Sequence, residues 1–236
     1  MEEWRVLASV AMLLVASVAD LKNRSVSDWL WVAFGVVAAA LYVTDFPPAD
    51  RLPAIAMSVT ITSALSLAVY KAGLFGGADA LAFFTLSLLM PQYSGSFSLS
   101  GMPSTLFSLS VFVNALAFSA CQVLVNVARN SASFLRRQNL FAGFEAETAA
   151  RKAIAFMIGF KSAKPTFSFP IEKKAAGGKK FDFTLANVET AAYEERRNVW
   201  VTPGIPFLLY LLAGFIVTIL AGDLVGLLAR IFFGTE

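Results

Sequence analysis

Six stretches of this chain are apolar over lengths suited to lipid, and that feature limits its fold more than any other. An α-helix rises about 1.5 Å per residue, so roughly 20 apolar residues cross a hydrocarbon core about 30 Å thick. The runs are Glu3–Ala19, Trp29–Thr44, Pro53–Tyr70, Ala80–Met90, Thr105–Val127 and Ile205–Phe232. The fourth stops at Pro91 after about 11 residues, too short for a crossing, and is expected to continue irregularly or to line a cavity. The balance of 57% hydrophobic to 15% charged residues agrees with lipid as the main solvent. The first run lacks the basic flank and small-residue cleavage site of a secretory signal and is kept as a helix. The expected fold is an all-α polytopic membrane protein with six transmembrane helices.

Orientation follows from the cations. With the N-terminus outside, every one of the 19 lysines and arginines except Arg5, Arg51 and Arg230 falls in an inner segment. Both termini are then extracytoplasmic, in a multi-pass plasma-membrane protein. Residues 1–127 carry five helices, 128–202 form a small cytoplasmic α+β insertion, and 203–236 carry the sixth helix.

The insertion divides by periodicity. Phe134, Leu135, Phe141, Phe144, Ile154, Met157 and Phe160, interrupted by Arg136, Arg137, Arg151 and Lys152, suit amphipathic helices against an anionic leaflet or packed beneath the bundle. Beyond them, Phe167, Phe169 and Ile171 alternate with polar residues, as do Phe181, Phe183 and Leu185. They flank a basic tip at Lys173–Lys180 that contains Gly177 and Gly178, a pattern that predicts a β-hairpin. The tip reads as a solvated loop or as a contact for lipid or a partner.

The chain has no histidine, which removes Ser-His-Asp and Cys-His triads, HExxH zinc sites and histidine proton relays together. Its single cysteine, Cys121, excludes an internal disulfide framework and any multi-cysteine metal site. No cofactor, metal or nucleic-acid partner is expected. Catalysis here would have to use carboxylates, lysines or hydroxyls.

Ionisable groups at membrane depth are costly, which makes the few that occur functional candidates. Asp20 ends the first run in Ala19-Asp20-Leu21-Lys22-Asn23-Arg24, and Asp79 precedes the fourth after Gly76-Gly77-Ala78. Each has an ordinary explanation as well: Asp79 as N-cap of a helix starting at Ala80, Asp20 as an interfacial charge paired with Lys22 or Arg24. Together they converge on the inner face. Two carboxylates a few Å apart cannot both stay ionised; sharing one proton, they can activate water and polarise a scissile carbonyl. Gly76 and Gly77 would allow positive φ and close approach of an extended substrate, or mark a plain turn. Pro203, Gly204 and Pro206 break the chain before the sixth helix, as a stop or a substrate ledge. Asp28 reads as a cap of the second helix behind Ser25 and Ser27, and Asp45, Asp50 and Asp223 as outer structural groups.

Asp20-Leu21-Lys22-Asn23-Arg24-Ser25-Val26-Ser27-Asp28-Trp29-Leu30-Trp31 resembles the first conserved segment of archaeal preflagellin peptidases, Gly76-Gly77-Ala78-Asp79 resembles their GxGD element, and Trp200-Val201-Thr202-Pro203-Gly204-Ile205-Pro206 resembles a third segment. The resemblance implies a class III signal peptidase of the type IV prepilin kind, an aspartic endopeptidase with Asp20 and Asp79 as its catalytic pair. It would cut archaellin or pilin-like precursors at the cytoplasmic face, after a short basic leader. Gly76, Gly77, Pro203 and Pro206 are the expected substrate contacts. Ala78 replaces the second glycine of GxGD, and Leu81 stands where many relatives carry lysine. The cysteine-bearing domain of many bacterial relatives is absent, so no methyltransferase activity is expected. Two other classes fit the membrane reading, a small proton-coupled transporter or channel gated by Asp20 and Asp79, and an assembly scaffold. A transporter would favour inverted repeats and polar midplane residues, and the second, third and sixth runs are almost wholly apolar.

Overall fold

A computed structural model describes residues 1–97, 103–175, 178–183 and 193–224. The chain divides into two compact units, Met1–Ser119 with Pro206–Glu236, and Ala120–Ile205. In chain order the elements are α1 Glu2–Asn23, α2 Asp28–Thr44, α3 Leu52–Lys71, α4 Gly77–Leu89, α5 Phe107–Leu135, α6 Ala149–Ile158, β1 Phe160–Ser162, β2 Ser168–Pro170, β3 Glu172–Ala175, β4 Gly178–Phe181, β5 Val199–Pro203 and α7 Phe207–Ala221.

The first unit is a helical bundle built on the six apolar runs. Glu2 and Glu3 sit in the first turn of α1 and Lys22 in its last, each opposing the local end of the helix dipole. The helix stops where Arg24 turns left-handed at φ 54° and donates its N–H to the Asp20 carbonyl. Pro53 falls in the first turn of α3, where its missing N–H costs nothing. By length and composition, α1, α3 and α5 can each cross a membrane. The helices α2, α4 and α7 are apolar but have 17, 13 and 15 residues. Six full spans are therefore more than the described helices support by this measure. The sixth run is helical only to Ala221, and residues 225–232, with Arg230, lie outside the described residues.

The shortest of these helices has the most helix neighbours. α4 packs against α1, α2, α3 and α7. Its Ala82, Phe83, Leu86 and Leu89 join Met12, Leu13, Ala16, Trp31, Phe207, Leu211 and Phe215 in one core. A helix ending inside an apolar bundle leaves carbonyls that water cannot reach. Here Arg5 donates to the Leu89 carbonyl at 3.1 Å, Ser108 to Met90 at 3.0 Å and Ser58 to Pro91 at 2.6 Å. Pro91 itself disfavours helical geometry at Met90, which ends the element there. α7 lies close on α5 because Gly214 has no side chain: a Cβ would fall 2.6 Å from the Val111 carbonyl oxygen. Leu7, Leu14, Val15 and Val18 of α1, Val36 and Val43 of α2, and Ile61 and Leu67 of α3 remain exposed, an apolar exterior suited to lipid.

The second unit is a small α+β assembly. β1 and β2 flank β5, both antiparallel, with Phe160 opposite Val201 and Phe169 opposite Thr202. β3 and β4 form a separate antiparallel hairpin with Lys173 opposite Lys180 and Lys174 opposite Lys179. The expected hairpin is thus present but narrower. Its lysines sit within the paired strands, because Lys179 reaches Glu172 at 2.7 Å and Lys173 reaches Asp182 at 3.0 Å. Phe169 belongs to β2 and pairs with β5, while Gly177 and Leu185 lie outside the described residues. Leu140, Phe144, Ala155, Ile171, Phe181 and Trp200 form the core. Asn126 and Asn130 of α5 donate to the last carbonyls of α6, at Met157 and Phe156. Ile154 and Met157 of α6 stay exposed, on an amphipathic helix with Arg151 and Lys152.

Candidate active site

Asp20 lies in the last turn of α1, half-buried, with one Oδ 3.9 Å from the Arg24 guanidinium. The left-handed turn at Arg24 folds this side chain back along the helix it follows. Asp79 lies in the first turn of α4. Gly76 is the N-cap, and its N–H donates to Asp79 Oδ2 at 3.3 Å, closing half of a capping box. Asp79 is therefore the third residue of the helix and not its cap; the helix starts at Gly77 because the carboxylate reaches back to secure the turn. Arg5, near the start of α1, donates to the Leu89 carbonyl at the end of α4, so these packed helices run antiparallel and the C-terminal end of α1 lies toward the N-terminal end of α4.

The glycines owe their place to something other than a left-handed backbone. Gly76 has φ −71° and ψ 162°, and positive φ in this turn falls at Gly73. A Cβ at Gly76 would meet Asp79 Oδ2 at 3.7 Å, ordinary contact, so the missing side chain leaves one flank of the carboxylate open. Gly77 borders a groove between α3 and α4.

Of the remaining expected contacts, Pro206 is the N-cap of α7. Its neighbour Phe207 meets Phe75 with ring centroids 4.4 Å apart, bringing the start of α7 to the turn that carries Gly76. Pro203 is the last residue of β5, opposite Ser168 in the second unit, where the consecutive Val199, Trp200 and Val201 are all buried. A strand pattern with prolines on its C-terminal side reads in sequence as a plain helix stop, which is how this strand is missed. Asp28 is the first residue of α2, whose N-cap, Ser27, makes no side-chain cap bond, so neither acts as the expected cap.

Two groups near this end escape a sequence reading. Ser17 Oγ lies one turn before Asp20 and Trp31 Nε1 one turn into α2, and both are buried without a hydrogen-bond partner among the described residues. Only their burial singles them out, and burial is a tertiary property. No group of three or more Asp, Glu or Cys side chains that could hold a metal occurs among the described residues. Two carboxylates that approach within a few Å can hold one proton between them and exchange it with water or a peptide carbonyl.

The sequence model of the type IV leader peptidase family matches residues 7–123, and that of the archaeal peptidase A24 C-terminus type II matches residues 147–224. The chain is 25% identical to the preflagellin peptidase of Methanocaldococcus jannaschii, over 93% of this chain and 95% of that one. It is 25% identical to the preflagellin peptidase of Methanococcus maripaludis, over 89% and 92%, and 23% identical to that of Methanococcus voltae, again over 89% and 92%. The apolar helices mark a membrane protein, and with two peptidase A24 models matching residues 7–123 and 147–224, the chain belongs to the type IV leader peptidase family of proteases.

Proposed function

We propose that this protein is a membrane-embedded aspartic endopeptidase that removes the short basic leader of archaellin or pilin-like precursors, with Asp20 and Asp79 as its catalytic residues. The observation that carries the reading is that these two carboxylates stand at the same end of the packed helices α1 and α4, whose other ends are joined by Arg5 and the Leu89 carbonyl. The preflagellin peptidase relatives, similar over nearly their whole length, supply the substrate class.

One proton is shared by the pair. The ionised member takes a proton from water as the water oxygen bonds to the scissile carbonyl carbon, and the protonated member donates a hydrogen bond to the carbonyl oxygen. The tetrahedral intermediate then collapses: the C–N bond breaks and the pair returns a proton to the leaving amine. Arg24, beside Asp20, keeps the pair from gathering two protons. Gly76, Gly77 and Pro206 border the extended substrate.

The lysines and arginines between the apolar runs put this end of the bundle in the cytoplasm, with both termini outside. In this arrangement all six apolar helices, α1–α5 and α7, belong to the membrane, the short α4 lying inside a ring of the others.

The test is co-expression with an archaellin-like precursor in membranes, following precursor size by electrophoresis. Wild type is expected to shorten the precursor, and Asp20→Asn and Asp79→Asn to leave it intact. Undiminished cleavage by both variants would remove the dyad. Failure of the wild type on several pilin-like precursors would return the chain to a transport or scaffolding role.

A further inference from the structure

At the end of the bundle away from Asp20 and Asp79, a cavity of about 490 Å³ is lined by the start of α1, the end of α2, the start of α3 and the chain beyond α4, all within the first unit. The short α4 leaves room for it. Its 13 residues rise about 20 Å, against about 30 Å for the 20 residues of α3, and Pro91, Gln92 and Tyr93 beyond it form part of the wall. Pro47, Pro48, Pro91 and Pro103 hold that wall at fixed φ, so the space is set before any ligand enters.

The polar lining has two poles. Arg51 is the N-cap of α3, at the positive end of that helix dipole, and Asp45 is the C-cap of α2, at the negative end. Neither forms an ion pair among the described residues. The Tyr42 hydroxyl, also in the wall, is buried with no hydrogen-bond partner among the described residues. The two other charges are already engaged. Glu2 accepts from Ser94 and Ser96, while Arg5 donates to the Leu89 carbonyl at 3.1 Å and lies 4.4 Å over the Tyr42 ring. What is left to a ligand is a guanidinium and a hydroxyl that suit an anion, and a carboxylate that suits a cation.

We propose that this cavity binds the headgroup of a zwitterionic phospholipid, with its phosphate against Arg51 and the Tyr42 hydroxyl and its ammonium against Asp45. Depth selects a lipid over a free solute. α1 and α3 are long enough to cross the hydrocarbon core, so their ends stand at the level of the headgroups. Val43 and Phe46, chain neighbours of Tyr42 and Asp45, are 84% and 72% exposed and offer apolar surface to the acyl chains. The two poles select a zwitterion over an anionic headgroup, because a phosphate alone would leave Asp45 facing like charge.

The full chain, purified in detergent with an equimolar mixture of dioleoyl phosphatidylethanolamine and dioleoyl phosphatidylglycerol, can be followed by native mass spectrometry. Wild type should retain one phosphatidylethanolamine in preference to phosphatidylglycerol. Arg51→Gln should lower retention of both roughly tenfold or more, the size of a lost charge-assisted hydrogen bond. Asp45→Asn should bring the two lipids to equal retention. Arg51 and Asp45 are exposed and unpaired among the described residues, so neither variant removes a contact that holds the fold. Equal retention of the two lipids by wild type, unchanged retention in Arg51→Gln, a preference that survives Asp45→Asn, or displacement of the lipid by free phosphoethanolamine at matched concentration would each overturn the site.

Discussion

The carboxylates of the two units are held in opposite ways. In the α+β unit, Glu147 accepts the Phe181 N–H at 2.7 Å and Arg151 Nε at 3.0 Å, and Glu172 accepts the Trp200 N–H at 2.9 Å and Lys179 at 2.7 Å. Glu194 accepts the Arg196 N–H at 2.9 Å and its guanidinium at 2.6 Å. In the bundle, Asp79 accepts one N–H at 3.3 Å, and Asp20 lies 3.9 Å from its arginine. A carboxylate whose oxygens are fully engaged serves structure; one held by a single long bond, beside another carboxylate, can trade protons. Under the proposed function, the same group is mortar in one unit and reagent in the other.

This contrast can be broken most sharply at the dyad. Asp79→Asn should reduce precursor processing at least about a thousandfold, within the span of general acid–base contributions, while shifting stability by less than about 1 kcal/mol. Turnover and thermal unfolding in detergent, measured on one preparation, check both halves. A large loss of stability would place Asp79 with the structural carboxylates.

The second unit should respond the other way. Glu147→Ala strands the buried Phe181 N–H and takes one partner from the half-exposed Arg151 guanidinium, at a cost of about 3 kcal/mol, the upper end of the range for a buried donor left unsatisfied. A midpoint shift in urea would show it, and an unchanged midpoint would mean that the pairing carries no weight.

A smaller effect is expected from Trp200→Phe, which removes the indole N–H donated to the Leu140 carbonyl at 2.9 Å while keeping most of the ring volume. The loss should be about 1–3 kcal/mol.

The smallest effect is pH-dependent. Hydrogen bonds from Arg196 hold the Glu194 carboxyl below its ordinary 4.5. A group lowered in the folded state stabilises it above the unfolded value, and this contribution fades as pH falls below about 4.5 through the folded value. Arg196 is 54% exposed, so solvent screening keeps the contribution under about 1 kcal/mol. Comparing urea midpoints at about pH 7 and about pH 4, the drop in wild type should shrink in Glu194→Gln.

Much of this arrangement was legible in the sequence, for identifiable reasons. Each apolar run became a helix because hydropathy and helical propensity act over neighbouring residues, and α1 to α3 depart from the expected boundaries mainly at their polar ends. Asp20 and Asp79 stood out because charge is rare near apolar runs. The role of Asp79 within its turn was misjudged, since a carboxylate three residues into a helix and one at its cap look alike without backbone geometry. β5 was missed because Val199–Pro203 is read locally as the approach to a helix, whereas its partners Phe160–Ser162 and Ser168–Pro170 lie some 30 to 40 residues away.

By itself, then, the sequence determined that this chain is a membrane protein of apolar helices with a basic α+β insertion, and that its rare acidic groups cluster at helix ends. Those properties are written in the local order of residues. Only the tertiary structure decided that the short α4 packs against four other helices, that Asp79 stands three residues into it, and that Pro203 and Pro206 belong to different units. Each of those depends on which elements pack together, and packing is settled by burial among residues far apart in the chain.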